Sequence, residues 1–231
     1  MELQEKGEYI TGGVRPCLIE DISAWKHTLL EVENSLFGSS VSKGRKNKRS
    51  GYVKSMFHAA YRRAVFEKVG VFNTTLLRTE DNEMHYRIRQ AGYKFYCDPS
   101  IVSYQYARSD FKKMIRQKYG NGYWVGVTLG VCPEGVSLFH LVPFAFVMGI
   151  MLTSVLAVCS VWLPAALLWA AYGAFVFMGT ICTVLNKQAN KWTFLMPVLF
   201  FLLHVSYGVG SLVGVAKMLF WNRSKSRCVD D

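Results

Sequence analysis

The chain has 231 residues, 51% of them hydrophobic, and its 27 Lys and Arg against 16 Asp and Glu give a formal net charge of +11. Such a balance suits nucleic acid, anionic lipid headgroups or a phosphorylated substrate. No zinc-finger spacing or aromatic-rich RNA motif accompanies it, which argues against nucleic acid as a partner.

The hydrophobic residues are unevenly spread. From Val136 to Asn186 there is no Asp, Glu, Lys or Arg, a run longer than the roughly 20 residues of one bilayer span and about right for two. The chain therefore divides into a soluble portion and a membrane portion, and the lipid bilayer is its first expected partner. The opening "MELQEKGEYITGG" has no apolar core of a secretory signal, so the soluble portion is expected on the cytoplasmic side of the cell inner (plasma) membrane, followed by a multi-pass tail. Cys17, Cys97, Cys132, Cys159, Cys182 and Cys228 show no CxxC or zinc-ligand spacing and are expected as reduced thiols that bind no metal.

In chain order, "EYITGGVRP" predicts a short strand ending in a Gly-Gly turn. Residues 21–37 predict a helix capped by Asp21, with Trp25, Leu29, Val32, Leu36 and Phe37 near one face. Residues 38–51 contain "KGRKNKR" among Gly and Ser and read as a solvated loop, with phosphate or lipid contact as the alternatives. A second helix is expected over about 60–68, closed by Gly70. Next comes "LLRTEDNEMHYRIRQAGYKFYCDP". Thr79 is a good N-cap residue, Glu80, Asp81 and Glu83 complement the helix dipole, and Met84, Ile88 and Ala91 repeat at helical spacing. Glu83 and Arg87 form a favourable four-residue pair. Gly92 should end this helix, "YKFYC" should form a strand, "DPS" should turn it, and "IVSYQY" should form one more short strand.

Residues 110–130 mix Phe111, Met114, Ile115, Tyr119, Tyr123 and Trp124 with Lys112, Lys113, Arg116 and Lys118. They read as an amphipathic segment in the membrane interface or, alternatively, as a helix packed on the soluble portion. Transmembrane helices are expected at about 136–160, 163–185 and 193–216 within 131–222, before a basic tail at 223–231. Two crossings return Lys187 and Lys191 to the cytoplasm. A third full crossing puts Lys217, Arg223, Lys225 and Arg227 outside, against the positive-inside rule. "SYGVGSLVG" leaves open a break of the third span into a re-entrant hairpin. His140 and His204 read as satisfied or interfacial rather than as ligands.

There is no GxSxG, P-loop, HExxH or paired metal-ligand motif, and "GNG" and "GVGSLVG" lack the strand–turn–helix context of a nucleotide loop. The carboxylates at 80–83 remain. The first turn of a helix suits a general base, because cap and backbone fix the side chain's direction. It equally suits a purely structural acid facing the dipole.

"GGVRP", the stretch from Gly51 to Arg108, and "YGNGYW" together resemble a family 2 glycosyltransferase of the GT-A fold, nearest the membrane-bound bacterial exopolysaccharide (succinoglycan-type) enzymes. The family pattern is met by Arg63, Phe66, Glu67, Val69, Gly70, Phe72, Leu76, Glu80, Asp81, Glu83, Arg87 and Gly92 in continuous register. The resemblance implies an α/β fold: a partial GT-A domain (the acceptor half, 1–109) followed by about three transmembrane helices. It implies Asp81 as the catalytic base that deprotonates an acceptor hydroxyl. Glu80, Glu83, Arg87, Gly12 and Gly13 would support the acceptor site. Arg116, Lys118, Tyr119 and Trp124 fall where related synthases carry a Gln-x-x-Arg-Trp motif over diphosphate and acceptor, although here Gln117 follows Arg116. The implied reaction is inverting transfer of a sugar from a nucleotide-sugar to a membrane-associated glycan or lipid-linked acceptor in polysaccharide synthesis. The family's Mg2+ or Mn2+ is also implied, but its Asp-x-Asp ligand motif is absent, as is the donor half expected before Gly12. Asn73 stands where the pattern has Asp. The chain thus reads as the C-terminal portion of such an enzyme, completed by a separate donor-binding half. The alternative is a non-catalytic truncated protein that keeps the acceptor-side fold as an interaction module.

Overall fold

A computed structural model describes residues 7–19, 23–35, 49–106, 110–186 and 189–219. The first part is a mixed sheet with helices. Strand β1 (Ile10–Val14) lies at its centre, parallel to β5 (Phe95–Val102) and antiparallel to β4 (Ala60–Tyr61), while β3 (Gly51–Val53) pairs antiparallel with the far side of β5. Two short strands, β2 (Cys17–Leu18) and β6 (Gln105–Tyr106), form a separate parallel pair.

Helix α1 (Ala24–Asn34) is shorter than expected. Its cap is the Ser23 hydroxyl, which accepts from the Lys26 N–H at 3.3 Å; Asp21, Leu36, Phe37 and the "KGRKNK" run lie outside the described residues. Helix α2 (Arg63–Val69) ends at Gly70, whose φ of 78° is a left-handed conformation that favours glycine. Helix α3 (Glu80–Gln90) starts and stops where the acids and Gly92 predict. Its cap departs from expectation. Thr79 occupies the N-cap position, yet its hydroxyl makes no capping bond, because a stronger partner on another helix competes for it.

"DPS" does not end its strand. β5 runs through Asp98, Pro99 and Ser100 to Val102. The Asp98 Oδ1 accepts both the Ser100 N–H and its hydroxyl, at 2.9 and 2.8 Å, and the register against β1 shifts between Gly12 and Val14. Gly13 accommodates that irregularity, since a Cβ there would run into the Ile101 carbonyl and lie 2.5 Å from the Asp98 oxygen. Gly12 has the same role toward Met56.

Residues 111–131 form one helix, α4 (Phe111–Val131), capped by Asp110. A 3-10 turn at Pro133–Gly135 leads to α5 (Leu138–Val158), α6 (Leu163–Leu185) and, after a second 3-10 turn at Thr193–Leu195, α7 (Met196–Leu219). Three of the helices, over Leu138–Val158, Leu163–Leu185 and Thr193–Met218, are long and apolar enough to cross a membrane. The glycines of "SYGVGSLVG" do not interrupt α7; they face other helices. His140 accepts the Ser137 N–H at 3.2 Å, and His204 shares a 2.9 Å bond with the Tyr172 hydroxyl, so both rings are satisfied.

Two cores result. Ile10, Met56, Val65, Met84, Ile88, Phe95 and Cys97 seat α2 and α3 on the sheet. Leu29 and Val32 of α1 meet Met114 of α4, Val176 of α6 and Met196, Leu199, Phe200 and Leu203 of α7 in the second. The soluble portion and the C-terminal helices therefore share a core.

Candidate functional site

The acidic turn at the start of α3 is held in place from behind. Glu83 is 2% exposed, and the Arg87 guanidinium grips it with two bonds, Nε to Oε1 at 2.6 Å and Nη2 to Oε2 at 2.9 Å. The same guanidinium donates to the carbonyls of Val69 and Val71 on either side of Gly70. Glu83 and Arg87 thus form a clamp that ties α3 to the end of α2. Two residues along a helix is a rotation of about 200°, so Glu83 points away from the side that carries Asp81.

Asp81 shares its side with a buried polar row. One carboxyl oxygen accepts the Asn82 N–H at 2.8 Å. Burial pushes the Asp81 carboxyl up to about 6; the neighbouring Glu80 charge adds to the rise, while the Asn82 N–H and the Arg15 guanidinium oppose it. Arg15 sits over the Phe57 ring, 4.3 Å from its centroid. Tyr61 lies close enough to feel the Asp81 charge, and burial first, then that charge, pushes its phenol up to about 12. One turn along α3 from Asp81, His85 is 1% exposed and bonded on both nitrogens, Nδ1 to the Ser55 hydroxyl and Nε2 to the Tyr61 hydroxyl, each at 2.9 Å. Burial holds this imidazole down to about 4, so it is neutral at ordinary pH. Ser55, His85 and Tyr61 together fix the phenol beside Asp81. Glu80 brings a buried Oε2 that has no hydrogen-bond partner among the described residues. A buried acceptor without a donor is costly, and a hydroxyl of a bound molecule would satisfy it.

Helix α4 forms the next wall. The Thr128 hydroxyl donates to the Trp124 carbonyl at 2.7 Å. Its one proton being used there, Thr79 is the donor in the 2.6 Å bond between the two hydroxyls. This bond is what removes Thr79 from capping duty. Arg78 lies across Gly120, where a Cβ would come within 3.3 Å of its guanidinium, and donates to the Asn121 Oδ1 at 3.0 Å. The 3-10 turn closes the corner, with Gly135 packed near the Asn82 carbonyl.

Of the sequence candidates on α4, Trp124 shares the face of Asn121 and Thr128 by helical spacing, and so belongs to this wall. Lys118 does not: it is 6% exposed and its Nζ pairs with the Glu33 carboxylate of α1 at 3.0 Å. Arg116 is exposed. The Tyr119 carbonyl packs against Gly210 of α7, on another side of the helix. Gly12 and Gly13 serve strand packing. Arg15, Ser55, Tyr61, Arg78, His85, Asn121 and Thr128 were not singled out from sequence. Only His85 carried a usable signal, its four-residue spacing from Asp81. Among the described residues no group of three or more His, Cys, Asp or Glu side chains is placed to hold a metal ion, and the sequence contains no Asp-x-Asp.

Comparison with known proteins places the chain among relatives that build glycans. Over 210 residues, 89% of this chain and 60% of the relative, it is 26% identical to the dolichyl N-acetyl-alpha-D-glucosaminyl phosphate 3-beta-D-2,3-diacetamido-2,3-dideoxy-beta-D-glucuronosyltransferase of Methanococcus voltae. The chain is related to glycosyltransferases. A second match, 28% identical over 91 residues, covers 39% of the chain and 28% of the succinoglycan biosynthesis protein ExoA of Rhizobium meliloti (strain 1021). The chain thus spans less than two thirds of either relative. No protein-family model matches it, and no solved structure matches it significantly.

Proposed function

We propose that this chain carries the acceptor side of an inverting glycosyltransferase that works at a membrane in polysaccharide or lipid-linked glycan synthesis. The observation that carries this reading is the arrangement at the start of α3. Asp81 has one oxygen fixed by a backbone N–H, stands beside a phenol held by His85, and has Glu80 as a neighbour with an unsatisfied buried oxygen. A carboxylate raised to about 6 is ionised near neutral pH yet basic enough to take a proton.

In the proposed step an acceptor hydroxyl gives its proton to Asp81 while its oxygen bonds to the anomeric carbon of a nucleotide-sugar. The bond from that carbon to the diphosphate breaks, and the nucleoside diphosphate leaves with the electron pair. Glu80 and Trp124 border the acceptor. The donor-binding groups come from polypeptide other than these 231 residues, together with whatever metal the donor site uses. The soluble portion faces the cytoplasm, where nucleotide-sugars are made, and the helices anchor it in the plasma membrane.

The test is Asp81→Asn, introduced into the gene in its own host. The assay is incorporation of labelled sugar from a panel of nucleotide-sugars into membrane glycan. The expected result is a loss of about 100-fold or more, the lower range for removing a general base, at unchanged protein level. Full incorporation by the variant would overturn the catalytic reading and leave an interaction module.

A further inference from the structure

Helix α7 is built differently from α5 and α6. Of their most apolar windows, 6% and 11% is buried within the protein, against 44% for α7. Its exposed large apolar side chains are Val198, Leu202, Val209 and Val213, whose spacing of four, seven and four residues places them on one stripe.

Helix α4 covers much of the remainder. The Ser206 hydroxyl donates to the Ile115 carbonyl at 3.0 Å, Gly122 packs on the Tyr207 carbonyl, Gly126 on the Ser211 carbonyl and Gly130 on Met218. The positions rise together, so the two helices run side by side in the same direction. Helix α4 is in turn fastened to the soluble portion along its length: Met114 to Leu29 and Val32, Lys118 to Glu33, Asn121 to Arg78, and Thr128 to Thr79. From Lys118 to Thr128 the helix rises about 15 Å.

A bilayer's hydrocarbon is about 30 Å thick and excludes unshielded ionisable groups. Were α7 to cross it, α4 would cross alongside. The Lys118–Glu33 pair, Arg78 and the sheet behind them would then be carried to hydrocarbon depth. We infer that α7 does not cross. Helices α4 and α7 lie together along the membrane interface, the Val198–Leu202–Val209–Val213 stripe faces the acyl chains, and only the α5–α6 hairpin spans.

The surface that this stripe meets is the acyl region of the leaflet the hairpin enters, because α7 packs on the flank of the hairpin below its tip. Gly208 abuts the Pro143 carbonyl, and the Phe201 ring lies 6.4 Å from Phe146 and 5.8 Å from Trp169. Charge supports the same topology independently. With two crossings, Lys191 and Lys217 fall on the side of the soluble portion, in keeping with the positive-inside rule. On this placement one helix diameter, about 10 Å, separates the turn bearing Asp81 from the acyl boundary.

The experiment places single reporter cysteines in the full chain in sealed membrane vesicles of one orientation, in a background with Cys17, Cys97, Cys132, Cys159, Cys182 and Cys228 all replaced by Ser or Ala, and adds a membrane-impermeant maleimide. Tyr104→Cys marks the soluble portion and Val161→Cys the hairpin tip. Lys217→Cys is expected to label with Tyr104→Cys and opposite to Val161→Cys; if it does not accumulate, Ala216→Cys takes its place. Labelling of the α7 end together with Val161→Cys overturns the proposal, and so does labelling of all three from one side. As a depth readout, a fluorophore on Val209→Cys is expected to be quenched more by a spin label near the headgroup than by one near the acyl terminus. The reverse order overturns it as well.

Discussion

Replacing Arg87 by Met tests how the acidic turn is held. The guanidinium now makes two bonds to a carboxylate that is 2% exposed and donates to the carbonyls of Val69 and Val71. Met keeps the apolar stem and removes all of these donors. Glu83 would be left buried without its counter-charge, and breaking a buried pair from one side costs about 3–5 kcal/mol. For a chain of this size that is a fall in Tm of about 6–20 °C. Arg87→Lys keeps the charge but cannot form the fork, so its fall should be intermediate. Adding Glu83→Gln to Arg87→Met removes the orphaned charge and should recover a large part of the loss. The assay is thermal unfolding of the detergent-solubilised protein, read as loss of soluble monomer and as helix signal. An Arg87→Met protein within about 2 °C of wild type, or a double variant worse than the single, would refute the account of Glu83 as an obligate partner.

Four further outcomes are expected. Asp81 has its carboxyl raised from 3.8 to about 6 in the folded chain, so ionising it costs the folded state. That penalty is absent below about 4 and complete above about 6, and Asp81→Asn should therefore stabilise the protein at pH 7.5 by up to about 3 kcal/mol. In the same window, sugar transfer by the wild type should fall as pH drops through about 6, because a base must be ionised; a flat rate from pH 7.5 to 5 would contradict its role. His85 works in the opposite sense. Its imidazole is held from 6.5 down to about 4, so the unfolded chain takes up a proton first and stability is lost as pH falls between those values. His85→Gln should flatten that part of the stability profile, as urea titrations at several pH values would show. Finally, Gly126→Val places a Cβ 2.5 Å from the Ser211 carbonyl oxygen and 2.8 Å from the Val215 N, both backbone atoms unable to step aside. A loss of about 1–3 kcal/mol is expected, seen as a drop in detergent Tm, whereas Gly173→Val, where nothing lies within 4 Å of the added Cβ, should change little.

Much of the architecture was legible because it rests on local rules. An absence of charge from Val136 to Asn186 marks a hairpin of apolar helices, whatever surrounds it. Met84 and Ile88 at helical spacing, the acids at 80–83, and the glycines at 70 and 92 specify α3 and its neighbour through dipole, periodicity and positive φ. Of the candidate site, the sequence pointed to Asp81, Glu80 and Trp124. Tyr61, Ser55 and Arg15 come from strands and loops far along the chain, and no spacing rule links them to α3.

What the sequence by itself determined is the list of elements and the acid-rich turn at their centre, since these follow from interactions among residues a few positions apart. The tertiary structure alone decided how the ambiguous residues are used. Lys118 is aimed at Glu33 because α1 lies beside α4. Thr79 bonds to Thr128 rather than capping α3, because a fully buried hydroxyl 2.6 Å away outcompetes its own backbone. The glycines of "GNG" and "SYGVGSLVG", which read locally as loop or break, lie within continuous helices. Gly120 accommodates Arg78, and Gly122, Gly210 and Gly214 let the backbones of α4 and α7 touch. Such partners are set by packing between segments far apart in the chain; the four-residue repeat of Gly122, Gly126 and Gly130 on α4 and of Gly210 and Gly214 on α7 marks faces fit for close helix approach, but not which helix each face meets.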